Sequence, residues 1–285
     1  MKNGTIISES ARQEFAAKGY HVVPGFYDAQ SQIEPIQEGI RQILELICKK
    51  YGVDAPTGTA HEAMTIAYRK LIAVNRSWGG EVYDAVKQIP AFMRLVSSAA
   101  NDEVFKALRP ESVPGLAAGG YGIRIDNPGE EKFRAQWHQE FPGQLRSVDG
   151  IVFWTPLLPV TADMGPVQIA EGSQAEGFVP VYEDDAGLGK TGAYSLFLHK
   201  GEERLARYKH VAPLSKPGDL ILMDFLTLHQ SGHNVSETPR WSIQFRYFNY
   251  AEPVGIRIGW KGSFAAGVNY AEVLPELVAP QGELA

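Results

Sequence analysis

The sequence predicts a mainly β fold with α-helices on one flank, and a change of texture near residue 116 carries that expectation. Residues 1–115 read mostly as helix, with apolar side chains recurring at spacings of three and four. From about residue 116 the pattern turns to short runs of Val, Ile, Trp, Phe and Tyr, divided by Gly, Pro and Asp clusters. Many short strands with turn signals between them close into a sandwich or barrel. The expected architecture is a jelly roll, a cupin-like double-stranded β-helix with helices packed on the outer face of one sheet. No linker, internal repeat or low-complexity segment divides the chain, so a single domain over 1–285 is expected, with 1–115 as helical flank and 116–285 as β core.

The elements follow in order. GYHVVPGFY (19–27) has short-strand character and stops at Pro24-Gly25. Ile33, Ile36, Ile40, Ile43 and Ile47 form one stripe on a helix near 29–50. Further helices are expected near 60–75, 80–88 and 90–108, the last divided around Asn101-Asp102, and none carries a site signature. The strands are read in YGIRID (121–126), GIVFWTPL (150–157), GPVQIA (165–170), DLILMDF (219–225) and WSIQFRYFNY (241–250).

Composition narrows the function. The chain has 44% hydrophobic and 21% charged residues, ordinary for a globular protein. A net charge of −6 argues against a general nucleic-acid binder. No apolar run approaches the roughly 20 residues that span a bilayer, and MKNGTIISESARQEF lacks the apolar core of a secretory signal. A single cysteine, Cys48, forms no internal disulfide and reads as a packed thiol. The expectation is a cytoplasmic protein, monomer or homodimer, acting on a small molecule.

The chemistry concentrates in His138-Gln139-Glu140 and, 91 residues after His138, in His229. Two imidazoles and one carboxylate are the ligand set that holds non-heme Fe(II) and leaves three coordination positions open. On an extended strand His138 and Glu140 point the same way, joined by Gln136 if the strand starts that early. An isolated His-x-Glu is cheap in a chain of this length, and the downstream segment HQSGHNVSETPRWSIQFRY (229–247) gives it weight. Arg240 lies 11 residues past His229 and offers a planar fork suited to a carboxylate. His233 competes with His229 for the second imidazole, but Gly232, Asn234 and Pro239 argue against the helix an i,i+4 pair would need.

Alternation on the last strand puts Arg240, Ser242, Gln244 and Arg246 on one face and Trp241, Ile243, Phe245 and Tyr247 on the other. The first face suits a polar barrel interior and the second suits packing under helices. GLGKTG (187–192) does not meet the G-x-x-x-x-G-K-[ST] spacing of a phosphate loop and reads as a loop over the pocket.

At these residues the chain resembles the phytanoyl-CoA dioxygenase family of Fe(II)/2-oxoglutarate-dependent oxygenases. The resemblance runs from EFAAKGYHVVPGFYDAQ (14–30) through WHQE (137–140), FWTPL (153–157) and GPVQIAEGSQ (165–174) to HQSGHN and Arg240. It implies His138, Glu140 and His229 as iron ligands and Arg240 as partner of the distal carboxylate of 2-oxoglutarate. Ser231 would donate to that carboxylate, and Trp154 would line the co-substrate pocket. The implied reaction consumes O2 and 2-oxoglutarate and releases succinate and CO2. Two departures stand out: Glu140 where the family usually has Asp, and Gln174 where it has His. Because Glu140 remains a carboxylate, the halogenase variant is not matched, and hydroxylation is expected.

Gln136, Arg124, Gln144 and Arg246 are the expected substrate contacts, which would suit a polar, even anionic, molecule. Arg124 and Arg246 serve equally well as members of buried ion pairs. The rival reading is a cupin-like small-molecule binding protein or a metal-independent sugar isomerase on the same scaffold. It accounts for a polar barrel interior but leaves the His, Glu and Arg spacing as coincidence.

Overall fold

A computed structural model describes residues 7–183, 196–262 and 269–280. The flank comprises α1 (Glu9–Lys18), α2 (Glu34–Tyr51), α3 (Ala60–Glu62), α4 (Tyr68–Val74), α5 (Trp78–Val86), α6 (Pro90–Val96) and α7 (Ala99–Leu108). Helix α1 is capped at both ends: the Ser8 side chain accepts from Ala11 N, and Gly19 closes it at a φ of 76°. In α2 the isoleucine stripe is the packed face: Ile36, Ile40 and Ile47 are buried with Leu44, Ile33 is buried just ahead of them, and Ile43 is half-buried. Cys48 is buried on the same helix, and burial pushes its thiol pKa up.

The break within 90–108 falls at Ser97-Ser98, not at Asn101-Asp102 as expected. Asn101 sits inside α7, fully buried. Its amide donates to the Leu95 and Val96 carbonyls at the end of α6, and its oxygen accepts from the Tyr27 hydroxyl. The residue that looks like a breaker in sequence is the one that joins the two helices.

The strands are β1 (Tyr20–Val23), β2 (Pro114–Leu116), β3 (Gly122–Asp126), β4 (Gly150–Pro156), β5 (Val167–Ala170), β6 (Val181–Glu183), β7 (Leu196–Leu198), β8 (His210–Val211), β9 (Leu220–Asp224), β10 (His229–Ser231) and β11 (Arg240–Asn249). Six form one antiparallel sheet in the order β1-β9-β4-β11-β2, with β3 also paired to β11. A second sheet runs β10-β5-β8, and β6 pairs with β7. These antiparallel sheets with helices on one outer face are the jelly roll the sequence predicts.

Alternation decides which side of the large sheet each residue serves. Ile151, Phe153, Leu220, Leu222, Trp241, Ile243, Phe245 and Tyr247 join the buried faces of the helices in one core. Trp241 donates its ring N–H to the Met64 carbonyl at 3.0 Å and meets Tyr68 edge-on. Val152, Trp154, Ile221 and Met223 point the other way and pack with Val167, Ile169 and Leu198 in the barrel interior. Among the described residues no helix is long and apolar enough to cross a membrane.

Candidate active site

His138 and His229 meet at a single antiparallel bridge. Each backbone N–H donates to the other residue's carbonyl at 3.0 Å, and the ring centroids lie 4.3 Å apart. On its other side β10 is fixed by β5, with His229 opposite Ile169.

The expected strand through Glu140 stops early. Gln139 is extended, with φ −92° and ψ 146°, and Glu140 opens a short helix, α8 (Glu140–Gln144). The N–H groups of Glu140 and Phe141 both donate to the Phe225 carbonyl, and Pro142, which has no N–H to offer, sits in the first turn. One extended residue is enough for the alternation to hold. Gln139 turns away and is clamped by three bonds, donating to the Gly177 and Leu226 carbonyls and accepting from Val179 N. His138 and Glu140 are thereby left facing His229.

The three side chains converge: one ligand atom from each lies within 4.8 Å of the others. Glu140 Oε2 is 3.5 Å from His229 Nε2 and 3.9 Å from His138 Nε2. Two ligands about 2.1 Å from one ion and at right angles stand about 3 Å apart, so a small inward movement closes the set. Both imidazoles are oriented by carbonyls two residues upstream: His138 Nδ1 donates to Gln136 O at 2.6 Å and His229 Nδ1 to Thr227 O at 2.9 Å. A carbonyl only accepts, so each Nδ1 carries a proton, and in the neutral ring it is Nε2 that presents a lone pair.

The carboxylate is arranged to the same end. Its Oε1 accepts from Arg246 Nε at 2.9 Å, while Oε2 is buried with no hydrogen-bond partner among the described residues. Burial alone would raise the Glu140 pKa. Arg246, with the two imidazoles behind it, outweighs burial and holds the carboxyl below the usual range. His138 is pushed down, by burial first and by His229 next, so near neutral pH the pair is an uncharged imidazole and a carboxylate. Unprotonated nitrogen and an orphaned carboxylate oxygen are the donor set a divalent ion needs.

Arg240 is 1% exposed and lies behind Ser231. Its Nη2 donates to Ser231 Oγ at 3.0 Å and to Asp126 Oδ2 at 2.8 Å, whereas Nε and Nη1 are buried without partners among the described residues. The Ser242 hydroxyl, on the same face of β11, is likewise buried and unpartnered. The loop that delivers Arg240 is tied by Asn234, whose amide donates to the carbonyls of Asp126 and Thr238. Gly165 passes beneath it at a φ of 65°, where an added Cβ would stand 2.5 Å from the Gly232 and His233 backbone.

Sequence reasoning missed Asp126. It faces Arg240 across the β3–β11 register and is also gripped by Arg124, whose Nε lies 2.8 and 2.9 Å from its two oxygens. Burial would raise Asp126, but the two guanidiniums pull it down to about 2. A folded pKa below the unfolded value near 3.9 stabilises the fold above pH 4, and that contribution fades as pH falls toward 2. The stability gap between wild type and Asp126→Asn, measured by urea unfolding, should therefore narrow by about 2 kcal/mol between pH 6 and pH 2.5. A gap constant with pH would contradict the assignment.

A cavity of about 580 Å³ opens over the three side chains, within the range typical of small-molecule sites. Gln136, Arg124, Gln144, Arg246, Ser231 and Trp154 all line it. Trp154 is 3% exposed and, with Val152, Val167 and Met223, makes an apolar wall. The helices contribute as well, against expectation: Tyr68, Gly79, Gly80 and Tyr83 from α4 and α5 line the cavity. Their apolar periodicity reports packing on the sheet and does not mark the residues that line the cavity.

Arg246 and Arg124, read equally as substrate contacts and as members of buried ion pairs, line the cavity and are ion-paired. Arg246 has a first task other than anchoring substrate, namely Glu140, and it also donates to Gln244 Oε1 and Gly120 O. Arg124 faces the cavity but is committed to Asp126 and to the Phe133 carbonyl. Gln174 reaches back to the Ala16 and Ala17 carbonyls of α1. His233 stands outside the cluster, exposed and paired with Glu131 at 2.7 Å. GLGKTG (187–192) lies outside the described residues.

Three solved structures share this architecture. EctD from S. alaskensis, determined with 2-oxoglutarate and 5-hydroxyectoine, superposes with a TM-score of 0.56 at 17% identity, covering 100% of this chain and 88% of that one. The non-heme alpha ketoglutarate dependent carbocyclase SnoK from nogalamycin biosynthesis gives 0.55 at 16% identity, covering 86% of each chain. AviO1 from Streptomyces viridochromogenes gives 0.54 at 15% identity, covering 88% of this chain and 99% of that one. At such identities the likeness establishes the fold. A comparison with curated protein sequences finds no match. The family model described as Phytanoyl-CoA dioxygenase (PhyH) matches residues 15–242, and with that span the chain belongs to the phytanoyl-CoA dioxygenase family of Fe(II)/2-oxoglutarate-dependent oxygenases.

Proposed function

We propose that the protein is a non-heme Fe(II)/2-oxoglutarate-dependent dioxygenase that hydroxylates a small polar molecule, with His138, Glu140 and His229 as iron ligands. The observation that carries this reading is the buried, unpartnered Oε2 of Glu140 standing 3.5 and 3.9 Å from two Nε2 atoms whose rings are fixed by their own Nδ1–H bonds. When bound, iron couples the oxidative decarboxylation of 2-oxoglutarate by O2 to insertion of one oxygen atom into the substrate, the other leaving in succinate.

The chain's own residues do the rest. Thr227 and Gln136 carbonyls hold the imidazoles in the ligating tautomer. Arg240 brings two unpartnered donors, Nε and Nη1, suited to the distal carboxylate of the co-substrate. Ser231 accepts from Arg240, which leaves its own hydroxyl proton to donate to the same carboxylate. Trp154, Val152, Val167 and Met223 give the cavity a dry wall that limits uncoupled side reactions. Gln136, Gln144 and Gln244 line the same cavity and offer amide donors and acceptors to a polar substrate.

Anaerobically loaded protein, given Fe(II), 2-oxoglutarate and O2, should form succinate slowly alone and faster with its substrate. Succinate formation that is independent of iron, or absent for every member of a broad polar metabolite panel, would count against the proposal. Product mass distinguishes hydroxylation, a gain of one oxygen, from oxidations that add none.

A further inference from the structure

We infer that Arg246 is the positioning residue of the metal centre: it holds one oxygen of Glu140 so that the other is delivered to the ion. The inference rests on the iron site proposed above. Glu140 carries its carboxylate on one more methylene than an Asp would, and a longer arm has an extra rotatable bond to fix. In this chain the fixing is done from β11. Arg246 Nε bonds Oε1 at 2.9 Å, Nη2 bonds Gln244 Oε1 at 3.0 Å and Nη1 reaches the Gly120 carbonyl at 3.3 Å. The guanidinium is thus held on three sides, and its hold on Oε1 leaves Oε2 as the carboxylate atom facing both Nε2 lone pairs.

Stability is a poor explanation for this pair. Arg246 and Glu140 side chains are 13% and 5% exposed, and a buried ion pair returns little net free energy because desolvation offsets the attraction. Its geometric consequence is definite, since a carboxylate with both oxygens free could swing or bind through two atoms. Glu140 also sits on the first residue of a five-residue helix, so the backbone gives the arm limited support. Distance along β11 supports the separation of roles: Arg240 and Arg246 stand six residues, about 20 Å, apart, so each serves a different carboxylate.

The opposing effect is electrostatic, because a guanidinium near the site repels a divalent cation. The two effects predict opposite signs, which makes the test decisive. Mn(II) and Co(II) binding would be measured by titration calorimetry on wild type, Arg246→Met and Arg246→Lys. Loss of a hydrogen-bond partner behind a metal ligand typically costs 10–100-fold in affinity, and Arg246→Met should fall in that range. Arg246→Lys, which keeps the charge but not the planar fork, should lie between; if the Met variant does not fold, the Lys variant decides. The visible bands of the Co(II)-loaded Met variant should also differ from wild type, which a merely structural role would not produce. In a Glu140→Asp background the arm recedes by about 1.5 Å, beyond the reach of Nε, so Arg246→Met should then cost little further affinity.

Metal affinity unchanged or increased in both Arg246 variants, with unaltered Co(II) bands, overturns the inference. Failure of wild type itself to bind metal overturns the iron reading instead.

Discussion

His229→Ala is expected to abolish metal-dependent stabilisation while leaving a folded protein. At a metal concentration a hundredfold above Kd, a one-site ligand stabilises the native state by about 2.7 kcal/mol. For a chain of this size each kcal/mol moves Tm by roughly 2–4 °C, so wild type should gain about 5–10 °C with Mn(II) or anaerobic Fe(II). Removing one of three ligands should cost more affinity than the 10–100-fold typical of losing a supporting hydrogen bond, and the shift should vanish. The fold should survive, because the bridge to His138 and the register with β5 are backbone contacts that an alanine keeps. His233→Ala serves as the control, since His233 is exposed and bonded to Glu131. A metal shift retained in His229→Ala and lost in His233→Ala would reverse the assignment.

Why the sequence singles out His229 and does not pair Arg246 with Glu140 has a physical explanation. His229, Ser231, Asn234 and Arg240 lie on one continuous strand–loop–strand segment, where spacing and turn chemistry translate directly into geometry. The same holds for β11, whose alternation sorted helix-facing from cavity-facing residues correctly: Trp241 and Tyr247 touch helices, while Gln244 and Arg246 line the cavity. The Arg246–Glu140 bond joins residues 106 apart in sequence, and the Arg240–Asp126 bond joins residues 114 apart. The second pairing follows from the β3–β11 register and the first from the tertiary placement of α8, and a single sequence displays neither. Strand order is also why Asp126 stayed invisible: nothing in YGIRID marks its last residue as the partner of two arginines.

Local reading failed where a side chain bonded to a backbone group outside its own element. Asn101 carries the signature of a helix breaker, yet it spends its amide on α6 and remains helical. Gln139 is the same case in the site itself. Its three hydrogen bonds to Gly177, Leu226 and Val179 hold the one extended step that aims His138 and Glu140 together, although the expected strand is otherwise missing. The convergence was correctly anticipated, but its cause is a clamped glutamine at a helix start.

Arg240→Ala should weaken 2-oxoglutarate binding by a factor on the order of 10²–10⁴ and leave metal affinity nearly unchanged. Two buried donors, Nε and Nη1, are without partners, and a carboxylate that took both would gain two charge-assisted bonds. Such bonds are worth roughly 1.5–3 kcal/mol each, hence the expected range. Asp126 is not stranded by the change, because it keeps Arg124 on both its oxygens. The proposed metal ligands have supports of their own: His138, Glu140 and His229 are oriented by Gln136, Arg246 and Thr227. Calorimetric titration of 2-oxoglutarate into Mn(II)-loaded wild type and variant separates the two affinities. Parallel loss of both would show that Arg240 acts by holding the barrel together. An unchanged 2-oxoglutarate affinity would move the co-substrate's second carboxylate to another part of the cavity.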